Sequence, residues 1–153
     1  RGLKNVTVIA AGLSDAPGEA TLFLPIKRRG NLGFGLGHLG PGNDGRAVRA
    51  EIVPLTTLDR FVAEAALTRL DFIKADIEGW EMRLLEGARA SLARFHPVLM
   101  LELVGAHLAR AGDRRADAVA FLQSLGYRTY RFDALYRALD GFIGGGDYLF
   151  LPH

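Results

Sequence analysis

The chain has 153 residues, of which 49% are hydrophobic, and its formal net charge is +2 at pH 7. This length is typical of one domain, and the basic residues alternate with acids instead of forming the one-sided patch of a nucleic-acid-binding protein. The absence of cysteine excludes a disulfide framework, a thiolate metal site and a cysteine nucleophile. No apolar run approaches the ~20 residues of a membrane helix. From these features together we expect a cytoplasmic protein that binds a small molecule. We expect neither nucleic acid nor a membrane as a partner.

The first half of the chain predicts strands on either side of a glycine-rich loop. Residues 5–13 (NVTVIAAGL) and 18–25 (GEATLFLP) have the β-branched and alternating patterns of strands, and the SDAPG between them is typical of a turn. Residues 28–46 contain seven glycines, which predicts a loop. Strand character returns over residues 47–55, and residues 56–67 carry apolar side chains at helical spacing.

The second half of the chain alternates strands with helices. The predicted strands are LDFIKADIEG (70–79), HPVLMLELV (96–104), YRTYRF (127–132) and DYLFLP (147–152). The predicted helices are WEMRLLEGARASLARF (80–95) and ADAVAFLQSLG (116–126), the second ended by Gly126. The nearly continuous apolar run of 96–104 predicts a strand buried on both faces. This order of elements predicts an α/β fold with right-handed crossovers.

The glycine-rich loop contains GLGHLG at residues 35–40, which matches the G-x-G-x-x-G pattern of dinucleotide-binding sites. That pattern binds a pyrophosphate only on the turn from a buried strand into a helix. Here it is followed by Pro41 and Gly42, which do not start a helix, so we interpret it as a loop. Nucleotide binding at this loop remains an alternative, and it predicts that Gly37→Ala weakens nucleotide affinity.

A loop of this length in a compact domain often contacts a substrate. Asn31 and His38 are the candidate substrate-contacting residues within it. His38 has the chemistry of a general acid or base, although a single loop histidine is commonly no more than a solvated side chain.

Acidic side chains follow two of the predicted strands. Asp76 and Glu78 come directly after the apolar run of residues 70–75, and Glu102 lies near the end of the next strand. Ligands of open α/β sheets bind outside the carboxyl ends of the strands. We therefore expect a shared site at this edge, where a carboxylate orients a cationic group or accepts a proton from a substrate hydroxyl.

Capping is the structural alternative for these acids. Asp76 or Glu78 would then accept hydrogen bonds from the free N–H groups at the start of the helix that follows. His107 follows Glu102 closely and either joins the site or packs at the start of a helix. Lys74 lies within the strand and is expected to be neutralised by a neighbouring acid.

The chain contains, in order, the segments VTVIAAGLSDAPGEATLFLP, LTTLDRF, LDFIKADIEGWEMRLLEGA and HPVLMLEL. Together these segments resemble the FkbM family of S-adenosylmethionine-dependent methyltransferases. The family has a threonine-leucine-aspartate segment, a strand close to I-K-x-D-x-E-G, a helix ending in L-x-G-A and a proline-led strand ending at glutamate. The resemblance extends over nearly the whole chain.

The resemblance implies a class I methyltransferase fold, which is a Rossmann-like three-layer α/β sandwich. Its seven-stranded sheet is mostly parallel and its last strand is antiparallel; DYLFLP would be that strand and YRTYRF the one before it. The resemblance also implies S-adenosylmethionine as the cofactor. The expected acceptor is a hydroxyl group of a small molecule or a glycan, and the reaction is O-methylation.

The resemblance also assigns roles to particular residues. Gly12, Leu13 and Ser14 would lie near the adenine, and Asp76 would lie near the methionine end of the cofactor and the acceptor. Glu78 would support the turn that follows the strand. These residues would act mainly by positioning the reactants.

The catalytic residues implied by the resemblance are Asp76, Glu78 and Glu102, of which Glu102 would face the acceptor. A carboxylate that takes the hydroxyl proton would add to the positioning effect. The carboxylates lack histidine partners at metal-ligand spacing, and no metal ligand is assigned.

The sequence departs from the family pattern at its beginning. The strand ends that hold the methionine part and the ribose of the cofactor are absent, because the chain begins near the third strand of the fold. We therefore expect residues 1–153 to form a single partial domain, truncated before the third strand, that binds the cofactor poorly by itself and exposes apolar edges. The competing interpretation is a non-catalytic α/β interaction module, or a truncated remnant without activity.

Overall fold

The computed structural model describes residues 3–26, 33, 36–39, 48–132, 138–140 and 146–153. These residues form strands and short helices, most of them connected by turns of a few residues. In chain order they are β1 (Gly12–Leu13), β2 (Gly18–Pro25), β3 (His38–Leu39), β4 (Val48–Thr56), α1 (Leu58–Glu64), β5 (Phe72–Ala75), α2 (Glu81–Glu86), α3 (Arg89–Phe95), β6 (Val98–Leu103), α4 (Gly105–Arg110), α5 (Arg115–Ser124), β7 (Tyr127–Phe132), β8 (Ala138–Asp140) and β9 (Gly146–Pro152).

The first sheet has the strand order β1-β4-β2-β3. β2 and β4 pair antiparallel from Gly18 opposite Leu55 to Pro25 opposite Val48. β1 pairs in parallel with the end of β4. The strands predicted over residues 18–25 and 47–55 are therefore confirmed.

The strand predicted over residues 5–13 is wrong for most of its length. Only Gly12–Leu13 pair with another strand, and the side chain of Val8 is 86% exposed. The β-branched pattern of this segment favours an extended backbone, but a strand also needs a neighbouring backbone to complete its hydrogen bonds. The described part of the chain gives residues 5–11 no such neighbour.

The second sheet has the strand order β5-β6-β9-β7-β8. β5 and β6 are parallel, whereas β9 is antiparallel to both of its neighbours, β6 and β7. The α/β fold class and the antiparallel last strand are thus confirmed. The described strands form two sheets instead of the single sheet that we expected, because β1 and β5 are edge strands that do not pair with each other.

The core lies around β6 and β9, where alternate side chains are fully buried. The other face of β6 is half-buried, so the expectation that this strand is buried on both faces is wrong. Leu99, Leu101 and Leu103 pack into the core, whereas Val98, Met100 and Glu102 on the other face stay partly accessible to solvent. Among the described residues, no helix has the length and apolar character needed to cross a membrane.

The single helix predicted over residues 80–95 is divided into α2 and α3 at Gly87 and Ala88. A Cβ atom on Gly87 would collide with the carbonyl oxygen of Ser14. The break therefore coincides with a close approach of two backbones that only glycine permits. The short helix α4 follows β6 and contains His107, for which a place at the start of a helix was one of the two alternatives. Gly126, at φ +84°, follows the C-cap Leu125 and ends α5 as predicted.

Asp59 connects two helices. It lies in the first turn of α1, and its carboxylate accepts hydrogen bonds from the N–H groups of Ala90 (3.0 Å) and Ser91 (2.7 Å) at the start of α3. These groups have no partner within their own helix. Thr57 caps α1 itself, because its hydroxyl oxygen accepts the N–H of Arg60 at 3.0 Å. The threonine-leucine-aspartate segment thus fixes the starts of two helices.

Replacing Asp59 by alanine should lower the free energy of unfolding by about 1–2 kcal/mol, because a capping carboxylate is lost from α3. Urea denaturation of the variant measures the change. Asp71→Ala is the matched control. The side chain of Asp71 forms an exposed ion pair with Arg69, and the loss of such a pair should cost about 0–0.5 kcal/mol. Equal losses for the two variants would contradict the capping role.

Candidate functional site

A pocket of about 700 Å³ lies between the two sheets. Residues 10–13 and part of β4 line one side, and residues 74–77 at the end of β5 line the other. Trp80 and Leu84 close it from the direction of α2. The volume is within the range of about 300–1,000 Å³ of small-molecule sites, and the lining is mainly apolar, as such sites usually are.

Two of the three residues predicted to lie near the adenine, Gly12 and Leu13, line this pocket. The third, Ser14, is buried behind the pocket wall. Its hydroxyl donates to Oδ1 of Asp15 at 2.8 Å and accepts from Nε1 of Trp80 at 3.2 Å. Ser14 therefore holds the indole of Trp80 in place, and Trp80 contributes to the pocket surface.

Asp76 lines the opposite side of the pocket, directly after β5. Its carboxylate is half-exposed and lies 3.4 Å from Nζ of Lys74, which also lines the pocket. The expected neutralisation of Lys74 by a nearby acid is therefore confirmed. These are the charged groups among the pocket residues that the structure describes, and they give an otherwise apolar surface one polar end.

Glu102 lies beside Asp76, as expected for acids at the ends of neighbouring parallel strands. Partial burial, the charge of Asp76 and a hydrogen bond with it raise the pKa of Glu102. Asp147, which is opposite Glu102 in the register of β6 and β9, and Glu78 raise this pKa further. Glu102 is thus a carboxyl group with a raised pKa beside a second acid, which is a property of acid–base sites. Within the described ranges, no group of three or more side chains has an arrangement suited to a metal ion.

Glu78 is turned towards α4. Its Oε2 atom lies 3.1 Å from Nδ1 of His107 and 3.5 Å from the guanidinium of Arg110, which also donates to the carbonyl oxygen of Glu78 at 3.2 Å. Glu78 is absent from the pocket wall. His107 joins Glu78, which leaves Asp76 as the acid in the pocket wall, with Glu102 beside it but outside the wall.

The turn after β5 has an unusual backbone. Glu78 has φ +57° and Gly79 has φ +108°, and a Cβ atom on Gly79 would collide with the carbonyl oxygen of His107. Glycine is thus required at position 79 for two reasons, the backbone angle and the packing of α4.

The residue that sequence reasoning missed is Glu81. The capping that we considered for Asp76 or Glu78 is not observed, because the described residues supply no side-chain cap to α2. Glu81 instead stabilises the turn before the helix, where its Oε1 atom accepts the N–H groups of Ile77 (3.2 Å) and Gly79 (3.4 Å). A signal was present in the sequence, because Glu81 lies three and four residues before Leu84 and Leu85, on the buried face of the helix.

The glycine-rich segment is described only in part. Asn31 lies outside the described residues, as does most of the loop predicted over 28–46. His38 is in β3, is 6% exposed and stacks on Phe23 with 5.8 Å between ring centroids. The prediction of a solvated loop histidine is therefore wrong, since pairing of β3 with β2 buries it. His38 and Leu39 of the GLGHLG pattern form this strand, and residues 40–47, which follow, lie outside the described residues.

Replacing Glu102 by glutamine should stabilise the protein at neutral pH. When folding raises the pKa of a carboxyl group, the protein loses stability as the pH rises from the ordinary pKa to the raised pKa, because ionisation in this range favours the unfolded chain. The Tm of Glu102→Gln should exceed that of the unchanged protein at pH 7, and the two values should converge near or below the ordinary glutamate pKa of about 4.3.

Thermal unfolding between pH 3 and pH 8 measures this difference. Glu86→Gln controls for the loss of one charge, because Glu86 is exposed and outside the acid group. A Glu102→Gln variant that is no more stable than the Glu86→Gln variant at pH 7 would refute the crowding of acids at this site.

Replacing Gly79 by alanine should cost at least about 2 kcal/mol, from an unfavourable φ and a contact with the His107 carbonyl. Gly18→Ala provides the control, because a Cβ atom there would have no neighbour within 4 Å. Chemical denaturation compares the two variants, and similar values would show that the close approach of α4 is not a constraint.

The sequence model of the Methyltransferase FkbM domain matches residues 2–129. Among solved structures, the methyltransferase FkbM from Methylobacillus flagellatus KT is similar, with a TM-score of 0.53 and 19% sequence identity. The match covers 94% of this chain and 28% of that chain, so this chain spans less than a third of the relative's length. The likeness shows a shared fold. No curated protein sequence matches the chain.

Proposed function

Because the chain belongs to the Methyltransferase FkbM domain family, we propose that it transfers a methyl group from S-adenosylmethionine to a hydroxyl group of a small molecule or a sugar. The observation that carries this proposal is the pocket wall, which joins Gly12 and Leu13 on one side to Asp76 on the other. An apolar surface with one polar end, where Asp76 and Lys74 lie, suits a ligand that has an aromatic base at one end and charged groups at the other.

The chemical character of the residues in the pocket wall is compatible with this cofactor. The wall formed by residues 10–13 offers backbone and small side chains against which a flat adenine can pack. The carboxylate of Asp76 suits the cationic methionine end, because a charge-assisted hydrogen bond to an ammonium group is among the stronger polar contacts. S-adenosylmethionine supplies an electrophilic methyl group attached to a sulfonium.

The acid pair suits the deprotonation of an acceptor hydroxyl. As the hydroxyl oxygen bonds to the methyl carbon and the carbon–sulfur bond breaks, the hydroxyl proton moves to a carboxylate. Asp76 is half-exposed, and Glu102, whose pKa is raised, is a good resting place for that proton. General-base assistance of this kind contributes about 10²–10⁴-fold to a rate.

A non-catalytic interaction module is the second candidate, and the exposed apolar side chains near the two sheet edges favour it. Val8 is 86% exposed, Ile52 is 72% exposed and Phe72, on the edge strand β5, is 52% exposed. Such edges pair readily with another strand. In that case a segment of another protein would bind in the pocket, and small ligands would have no effect on the amide signals of the pocket residues.

Titration of the ¹⁵N-labelled chain with S-adenosylmethionine distinguishes the two candidates, because NMR detects even weak binding. We expect the largest amide shifts at Gly12, Leu13, Asp76 and Ile77. Asp76→Asn should weaken binding about tenfold or more, since a hydrogen bond to a charged group is lost, without changing the fold.

Asp71→Asn is the matched control, because it makes the same change at the other end of β5, outside the pocket. Shifts at other residues only, or equal affinities for the two variants, would contradict the methyltransferase proposal and favour the interaction module.

A further inference from the structure

Glu81 is a charged residue type in the most buried part of the molecule. It is the first residue of α2, and 1% of its surface is exposed. Its neighbours on the same face, Leu84 and Leu85, belong to the hydrophobic core. A buried carboxyl group lowers the stability of a protein unless its oxygen atoms are hydrogen-bonded. The hydrogen bonds of Glu81 therefore indicate its role in the structure.

Both hydrogen bonds of Glu81 go to the turn after β5. Oε1 accepts the N–H groups of Ile77 and Gly79, at 3.2 and 3.4 Å. Oε2 is buried without a hydrogen-bond partner among the described residues. Burial raises the pKa of Glu81, whereas the backbone N–H groups of Glu81 itself, Ile77 and Gly79 and the charge of His107 oppose this effect.

The same turn is held in a conformation that the backbone does not favour. Glu78 has a positive φ of 57°, which costs about 1–3 kcal/mol unless the surroundings enforce it. Without Glu81, the N–H groups of Ile77 and Gly79 would also lack an acceptor. The two acids Asp76 and Glu78 flank the first of these N–H groups along the chain.

We infer that Glu81 is a positioning residue, which fixes the turn at residues 77–79 and so sets where the carboxylates of Asp76 and Glu78 lie. It is absent from the pocket wall and touches no ligand in this role. The consequence for methyl transfer rests on the proposed function, whereas the effect on the turn does not.

Amide hydrogen exchange of the 153-residue chain tests the inference directly. Glu81→Ala should accelerate exchange at Ile77 and Gly79 about tenfold or more beyond the change in the rest of the protein, because both N–H groups lose their acceptor. Glu81→Gln retains an acceptor oxygen of the same reach and should restore the protection of both amides.

Leu85→Ala is the matched control for lost packing. Leu85 is fully buried on the same helix and lies outside the pocket, so its truncation destabilises the core without removing an acceptor. If Glu81→Ala and Leu85→Ala have the same exchange pattern after correction for global stability, Glu81 is only a core residue and the inference is wrong.

A second readout reports on the position of Asp76. The pKa of Glu102, followed by ¹³C NMR of its carboxyl carbon, depends on the nearby charge of Asp76. In Glu81→Ala this pKa should move towards the ordinary glutamate value, whereas in Glu81→Gln and Leu85→Ala it should stay raised. An unchanged pKa in Glu81→Ala would overturn the positioning role.

The ligand titration separates this inference from the proposed function. If S-adenosylmethionine produces no shifts in the unchanged protein, the proposed function fails. The exchange and carboxyl measurements then still decide the role of Glu81, because neither of them requires a ligand.

Discussion

The close approach of Gly79 to the carbonyl oxygen of His107 is the constraint on which the site depends. It requires a residue without Cβ and a positive φ at the same position. The approach brings α4 against the turn after β5, where His107 and Arg110 reach the carboxylate of Glu78. With Glu78 held on that side, Asp76 is left at the end of β5, where it lines the pocket.

The acids of the site lie closer together than is favourable for the stability of the protein. Asp76, Glu78 and Asp147 all raise the pKa of Glu102, and Glu81 occupies a buried position that an apolar side chain could fill. Strand ends and helix starts elsewhere in the molecule use acids in favourable ways, as Asp59 does at α3. An arrangement that costs stability at one place is the pattern expected of a functional site.

The sequence predicted what depends on local periodicity and failed where partners are distant along the chain. The alternation in residues 18–25 and the order of strands and helices after residue 70 were sufficient to predict those elements. The strand over residues 5–13 was wrong because pairing depends on another segment, and His38 is buried because β3 pairs with β2. Asp76 and Glu102 were predicted together from their strand ends. Glu81 was not predicted, because it lies on the apolar face of a helix and not directly after a strand.

The most direct test of the account is a crystal structure of the chain with S-adenosylhomocysteine, the product that remains after methyl transfer. The account predicts that the product occupies the pocket between the sheets, with its adenine beside Gly12 and Leu13 and its amino-acid end towards Asp76. The sulfur would then lie on the side of the pocket nearest Glu102. A product bound elsewhere, or a pocket filled instead by a strand of a second copy, would contradict the methyltransferase site and favour an interaction module.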